Sequence, residues 1–138
     1  MNRAILLISC PDQKGITAAV TSFVAQNNGN IVHADQHIDE QSGTFFMRLE
    51  WSLDGFKMPE ADISKTFLPI VQKFHMAWEL SFTSVQQRAA IFVSKHTHCL
   101  QDLLIRHKAG QLPCDISLIM SNHRDAKLLA DQSGVRFL

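Results

Sequence analysis

A mostly apolar run, Ala4-Ile5-Leu6-Leu7-Ile8-Ser9-Cys10, leads directly into the turn cluster Pro11-Asp12-Gln13-Lys14-Gly15. An apolar stripe follows at Ile16, Ala19, Val20, Phe23 and Val24. Those positions are spaced i, i+3, i+4, i+7 and i+8, which is one face of a helix. The run before the turn is continuous enough for a strand covered on at least one face. A buried strand joined by a short turn to a one-faced helix restricts the fold: the helix must lie back on the sheet that its strand enters.

The next elements extend the pattern. Asn27-Asn28-Gly29 ends the helix, with Gly29 expected as the left-handed cap. Asn30–Asp39 reads as a strand, residues 40–43 (Glu-Gln-Ser-Gly) as a hairpin loop, and Thr44–Trp51 as the returning strand, rich in β-formers. Pro59 suits the start of a second helix with apolar positions Ile63, Phe67, Ile70, Val71 and Phe74. Pro69 inside that span is expected to kink or split it. Met76–Thr83 alternates as a fourth strand. The order βαββαβ is the ferredoxin-like arrangement, an α+β antiparallel sheet with both helices on one face.

Beyond about residue 87 the rhythm changes. Ala89–Ser94 is a short apolar strand, and Leu100, Leu103 and Leu104 mark a helix ending near Gly110. Cys114–Met120 is a strand, Ala126, Leu129 and Ala130 mark a helix with Gly134 just past it, and Val135–Leu138 begins a third strand. Alternation of this kind implies an α/β, Rossmann-like parallel sheet. Residues 1–87 hold six Lys/Arg against nine Asp/Glu, and residues 88–138 hold seven against four, together the balanced 13 of each sign. We therefore expect domains at 1–86 and 87–138. Parallel sheets need both faces covered and more strands than this second segment supplies. The expectation is that the chain is the N-terminal part of a longer protein.

Composition excludes several classes. Apolar residues at 46% and charged residues at 19% are globular values. No apolar run approaches the roughly 20 residues of a membrane span. Zero net charge argues against a broad nucleic-acid surface. Residues 3–10 faintly imitate a secretory signal, but Pro11–Gly15 stands where a small-residue cleavage site belongs. Three widely spaced cysteines, Cys10, Cys99 and Cys114, encode neither a disulfide framework nor a zinc ribbon. A cytoplasmic protein is expected.

Three segments carry a specific resemblance in the first half: residues 10–16 (CPDQKGI), Asn30-Ile31-Val32, and residues 43–48 (GTFFMR). Lys95 through Leu104 (KHTHCLQDLL) and Ser121-Asn122-His123 extend it into the second. The first half resembles an ACT domain, the ferredoxin-like module that senses small molecules. The whole chain resembles formyltetrahydrofolate deformylase, whose catalytic domain is similar to glycinamide ribonucleotide formyltransferase. The resemblance implies hydrolysis of 10-formyltetrahydrofolate to formate and tetrahydrofolate, supplying formate for purine synthesis and balancing one-carbon pools. It implies no tightly bound cofactor, an amino-acid effector such as glycine or methionine, and a homo-oligomer built through ACT domains. The family's catalytic Asn, His and Asp match no position in this chain, so no catalytic residue is assigned here.

Candidate residues follow. Asp12 offers a carboxylate to an effector amino group, and the backbone N–H groups of Gly15 and Ile16 offer a carboxylate site at a helix start. Resemblance to ACT dimers adds Asn30 from a partner. Turn chemistry alone also explains Asp12 and Gly15. Asn122 and His123 follow a parallel strand at its carboxyl end, where ligands gather in open α/β sheets, so they are candidates for the folate side. Asn122 has the competing role of capping the helix near Arg124. His96, His98 and Cys99 lack a second cluster with metal-ligand spacing, and no metal site is assigned; solvated histidines beside a buried Cys99 are expected. His33 and His37 share one strand face and are expected to be exposed.

A nucleotide-using formyltransferase needs small residues after its first strand to cradle phosphate. The corresponding loop, Lys95-His96-Thr97-His98-Cys99, has no glycine, which favours water as the acceptor. The alternatives are a non-enzymatic amino-acid-binding ACT regulator and a folate-dependent formyltransferase.

Overall fold

The computed structural model describes residues 1–138, which divide into two compact units, Met1–Val85 and Gln86–Leu138. The first unit runs β1 (Arg3–Pro11), α1 (Ile16–Gln26), β2 (Asn30–Asp39), β3 (Thr44–Ser52), α2 (Glu60–Phe74) and β4 (Ala77–Phe82). Its four-stranded sheet has the order β2-β3-β1-β4, with every pairing antiparallel. This is the ferredoxin-like topology that the apolar pattern implies.

Strand alternation divides the sheet into two faces. Ala4, Leu6, Ile8 and Cys10 of β1 and Phe45, Met47, Leu49 and Trp51 of β3 are all buried. They pack with Ile16, Val20, Phe23 and Val24 of α1 and Ile63, Phe67, Val71 and Phe74 of α2. Phe67 sits at the centre, its ring 5.2 Å from Phe23 and 5.5 Å from Trp78. Phe46, one residue from Phe45 and Met47, points the other way and is 44% exposed.

Two helix signals resolve differently from expectation. Asn28, not Gly29, takes the left-handed conformation after α1, with φ 59°. Gly29 N–H then donates to Val24 O at 2.9 Å and Asn28 N–H to Ala25 O at 3.1 Å, the paired bonds of a Schellman motif. Asn tolerates that conformation, and Gly29 is needed for space. A Cβ there would lie 2.6 Å from Val24 Cγ1 and 3.0 Å from Phe56 Cε2. Gly29→Ala is therefore expected to destabilise the first unit by about 1–3 kcal/mol through overpacking, measured by denaturant unfolding.

Pro69 neither splits nor ends α2, which is continuous from Glu60 to Phe74. The loss of one backbone hydrogen bond is outweighed by burial of Ile63, Phe67, Val71 and Phe74 on both sides of the proline. The helix closes on His75 with φ 55°, and Met76 N–H donates to Val71 O at 3.0 Å.

The second unit contains β5 (Gln87–Phe92), α3 (His98–Lys108), β6 (Cys114–Met120), a 3-10 turn at Arg124–Ala126, α4 (Lys127–Gln132) and β7 (Arg136–Phe137). The sheet is parallel, in the order β5-β6-β7. Its core is Leu100, Ile116, Ile119, Ala126 and Ala130. Cys99 is exposed, against the expectation of a buried thiol, because Leu100 takes the inward position of the first turn of α3.

Candidate functional site

The segment between β1 and α1 is built by backbone bonds. Asp12 N–H donates to Gly43 O at 2.8 Å, which ties the loop to the β2–β3 hairpin. Gln13 Nε2 donates to Pro11 O at 3.3 Å and to Phe74 O at 3.5 Å. Gly15 has φ 93°, and a Cβ there would meet no atom within 4 Å, so its backbone conformation alone demands glycine. Gly15→Ala is expected to cost about 1–2 kcal/mol, read as a lowered unfolding midpoint.

At the start of α1 no side chain caps the helix and no acidic residue lies in the first turn. Its leading N–H groups thus have no side-chain cap, and the positive end of the helix dipole lies behind them. Asp12 is exposed and makes no ion pair. Burial pushes the Cys10 thiol up, and the nearby Asp12 charge adds to the shift, so Cys10 stays protonated and is packing rather than a nucleophile.

Asn30 lies elsewhere in the protomer. It pairs with Ser52, which pairs with Arg3 at the start of β1, whereas Pro11 pairs with Thr44 and Thr44 with Asp39. Eight residue steps of about 3.3 Å separate those two ends of the sheet, about 26 Å. One chain therefore brings Asp12, Gly15 and Ile16 together and leaves Asn30 at the opposite end.

In the second unit, Asn122 does not cap a helix. The 3-10 turn begins at Arg124, His123 stands in the cap position, and no side-chain cap bond forms. Ser121 Oγ instead accepts the His123 N–H at 3.0 Å and shapes the bend. That leaves Asn122 free on a depression at the carboxyl ends of the parallel strands, lined also by Phe92, Ser94, Met120 and Leu138. His123 is exposed and does not line it. His96, His98 and Cys99 are exposed, and no three His, Cys, Asp or Glu side chains converge on a point.

Sequence reasoning missed an ionic network on the helix-free face of the first sheet. Glu50 accepts from Arg3 Nη1 at 2.9 Å and Arg48 Nη2 at 3.0 Å. Arg48 and Glu50 sit two apart on β3, so alternation places them together; Arg3 arrives only through the β1–β3 register. The Arg3 hydrogen bond, opposed by burial and reinforced by Arg48, holds the Glu50 carboxyl below its ordinary range. Ionised Glu50 is thus favoured by folding. Its stabilisation is present above the unfolded carboxylate pKa of about 4.3 and is lost as pH falls through the lower folded value. Glu50→Gln is expected to cost about 1 kcal/mol at neutral pH and to flatten the acid limb in urea unfolding below about pH 5.

The first unit has the ferredoxin-like topology, and the ACT domain family model matches residues 4–54 within it. The chain as a whole is homologous to the formyltetrahydrofolate deformylases. It is 46% identical over 97% of its length to the formyltetrahydrofolate deformylase of Synechocystis sp., covering 47% of that protein. It is 37% identical over 96% of its length to that of Bacillus subtilis, covering 44%. A crystal structure of a formyltetrahydrofolate deformylase from Pseudomonas syringae pv. tomato superposes with a TM-score of 0.90 at 36% identity, covering 99% of this chain and 46% of that one. An ACT domain protein from Streptococcus pneumoniae shares the fold alone, with a TM-score of 0.52 over 60% of this chain at 22% identity. The chain spans about half the length of the curated relatives it matches.

No helix is long and apolar enough to cross a membrane.

Proposed function

We propose that this chain is the sensing unit and the opening of the catalytic unit of a cytoplasmic formyltetrahydrofolate deformylase. The observation that carries the reading is 46% identity to a deformylase over 97% of the chain, extending through both units. The reaction is hydrolysis of 10-formyltetrahydrofolate to formate and tetrahydrofolate, with water attacking the formyl carbon under general-base assistance and the developing oxyanion stabilised. The catalytic Asn, His and Asp implied by the resemblance have no counterpart in these residues, so the 138-residue chain alone is expected to be inactive. Asn122, at the carboxyl end of β6, and the exposed His123 beside it are the folate-side candidates.

The first unit is proposed to bind an amino acid, glycine or methionine, with Asp12 on its ammonium and the Gly15 and Ile16 N–H groups near its carboxylate. Asn30 joins from a partner. The ten-residue edge strand β2 is long, exposed along most of its length, and open to pairing. Antiparallel pairing of two β2 edges about a two-fold axis brings the partner's Asn30 toward the Asp39 end of the sheet, where the Asp12 loop lies. The protomer separation of Asp12 and Asn30 supports a site that needs two chains.

The deciding experiment is formate release from 10-formyltetrahydrofolate by the protein at its native full length, with and without a nucleotide acceptor. Formate release unaffected by the acceptor is expected. Faster formyl transfer to the nucleotide would overturn the hydrolase in favour of a transferase. Effector binding with no formate release would favour the non-enzymatic ACT regulator, the second reading.

A further inference from the structure

We propose that Asn28-Gly29 is a self-modification site gated by the cap of α1: when the cap opens, Asn28 loses its side-chain amide to attack by the Gly29 nitrogen, and the product cannot rebuild the cap. This does not rest on the deformylase reading. Asn28-Gly29 is the one Asn-Gly step in the chain. Glycine presents its backbone nitrogen with no Cβ to obstruct an approach, so this pair of residues suits ring closure. The Gly29 nitrogen bonds to Asn28 Cγ, the Cγ–Nδ2 bond breaks, and ammonia leaves with the proton that the nitrogen gives up. Water then opens the five-membered imide at either carbonyl. One opening leaves aspartate at position 28. The other leaves isoaspartate, in which the main chain runs through the side-chain carbon. Only water is consumed, and Asn28 is exposed to it.

The fold occupies both reacting groups. Gly29 N–H donates to Val24 O at 2.9 Å, so the nitrogen is engaged in closing the helix. Asn28 Nδ2 donates to Gly55 O at 2.9 Å, which holds the leaving amide on the segment after β3. That segment also clasps the helix end, with Lys57 N–H donating to Asn27 O at 2.9 Å and Lys57 Nζ to Gln26 O at 3.3 Å. Two hydrogen bonds of ordinary net strength must break before the ring closes, which slows the reaction about ten- to a hundredfold against the unfolded chain. Both products then oppose closure. A carboxylate at position 28 cannot donate to Gly55 O. It also puts negative charge at the carboxyl end of α1, where the dipole disfavours it and no basic residue stands in the last turn. Lys57 Nζ offsets part of that charge. Isoaspartate adds a main-chain carbon where Gly29 has no room, since even a Cβ there would meet Val24 Cγ1 at 2.6 Å and Phe56 Cε2 at 3.0 Å.

The test holds the 138-residue chain at mildly alkaline pH in buffer and in guanidinium chloride, and follows the peptides carrying Asn28 and Asn122 by mass spectrometry. A gain of about 1 Da at Asn28 is expected about ten- to a hundredfold faster in denaturant than in buffer. Asn122, followed by histidine, is expected to lag behind Asn28 in denaturant. Hydrogen exchange at the Gly29 amide is expected to be slowed to a similar extent in buffer, because both processes need the Val24 bond open. Asn28→Asp, the product made directly, is expected to raise the unfolding equilibrium constant about fivefold or more, read by tryptophan fluorescence in denaturant. Equal rates in buffer and denaturant, a faster gain at Asn122 than at Asn28 in denaturant, a Gly29 amide that exchanges freely, or an Asn28→Asp chain of unchanged midpoint would each overturn the proposal.

Discussion

Phe67→Ala is expected to destabilise the first unit by about 3–5 kcal/mol, the upper range for truncating a core side chain. Phe67 is 1% exposed, lies edge-on to Phe23 and against Trp78, and anchors the middle of α2 one turn before Ile70 and Val71. Removing the ring costs its transfer free energy and leaves a cavity, because the sheet and two helices around it relax only partially. An edge-type contact with Phe23 and a tilted one with Trp78 are lost as well. Pro69 raises the stake. With one backbone bond of α2 missing, the helix depends on side-chain burial to stay continuous, and Phe67 is the largest contributor. The measurement is convenient: both tryptophans, Trp51 and Trp78, lie in the first unit, so their fluorescence in urea reports its unfolding. A loss below about 1 kcal/mol, the scale of a surface substitution, would show that α2 is not held by this core.

The same residues explain why much of the fold was legible in the chain. Where burial has a strict period, as at Ile16, Val20, Phe23 and Val24 or at Phe45, Met47, Leu49 and Trp51, the sequence states which face is inward. The βαββαβ order follows from those stripes. What failed depended on which neighbour takes a given place, near or distant in sequence. Gly29 is dictated by the approach of Phe56, twenty-seven residues away, rather than by its own backbone angles. Cys99 looked apolar enough to bury, but Leu100 occupies the inward position. Asn122 had the right type and place for a cap, but the preceding serine shapes the bend. Arg48 and Glu50 were visible as neighbours on one face; the third member of that network, Arg3, required the β1–β3 register. The candidate effector loop was legible as a loop. That Asp12 and Asn30 stand at opposite ends of the sheet was not, because it follows from strand order and direction, which periodicity does not encode.

That separation sets the second large effect. Asp12→Ala is expected to weaken binding of the amino-acid effector about 30-fold or more, the cost of leaving an ammonium without its carboxylate in a partly desolvated site. The fold should be unaffected, since Asp12 contributes its backbone N–H to Gly43 and no side-chain bond. Calorimetry with glycine and with methionine measures it. No heat from either with unmodified protein removes the effector reading, and unchanged affinity in the variant removes Asp12 from it. A mixing experiment then asks whether the site is shared between chains. If Asp12 comes from one chain and Asn30 from its partner, a heterodimer of Asp12→Ala and Asn30→Ala chains has one doubly defective site and one intact site. Random exchange of equal amounts makes about half the dimers mixed, so about one quarter of the native sites should return. If both residues served one site within a single chain, every chain in the mixture would carry a defect and none would return. The sheet register, with its span of about 26 Å between the two positions, favours recovery.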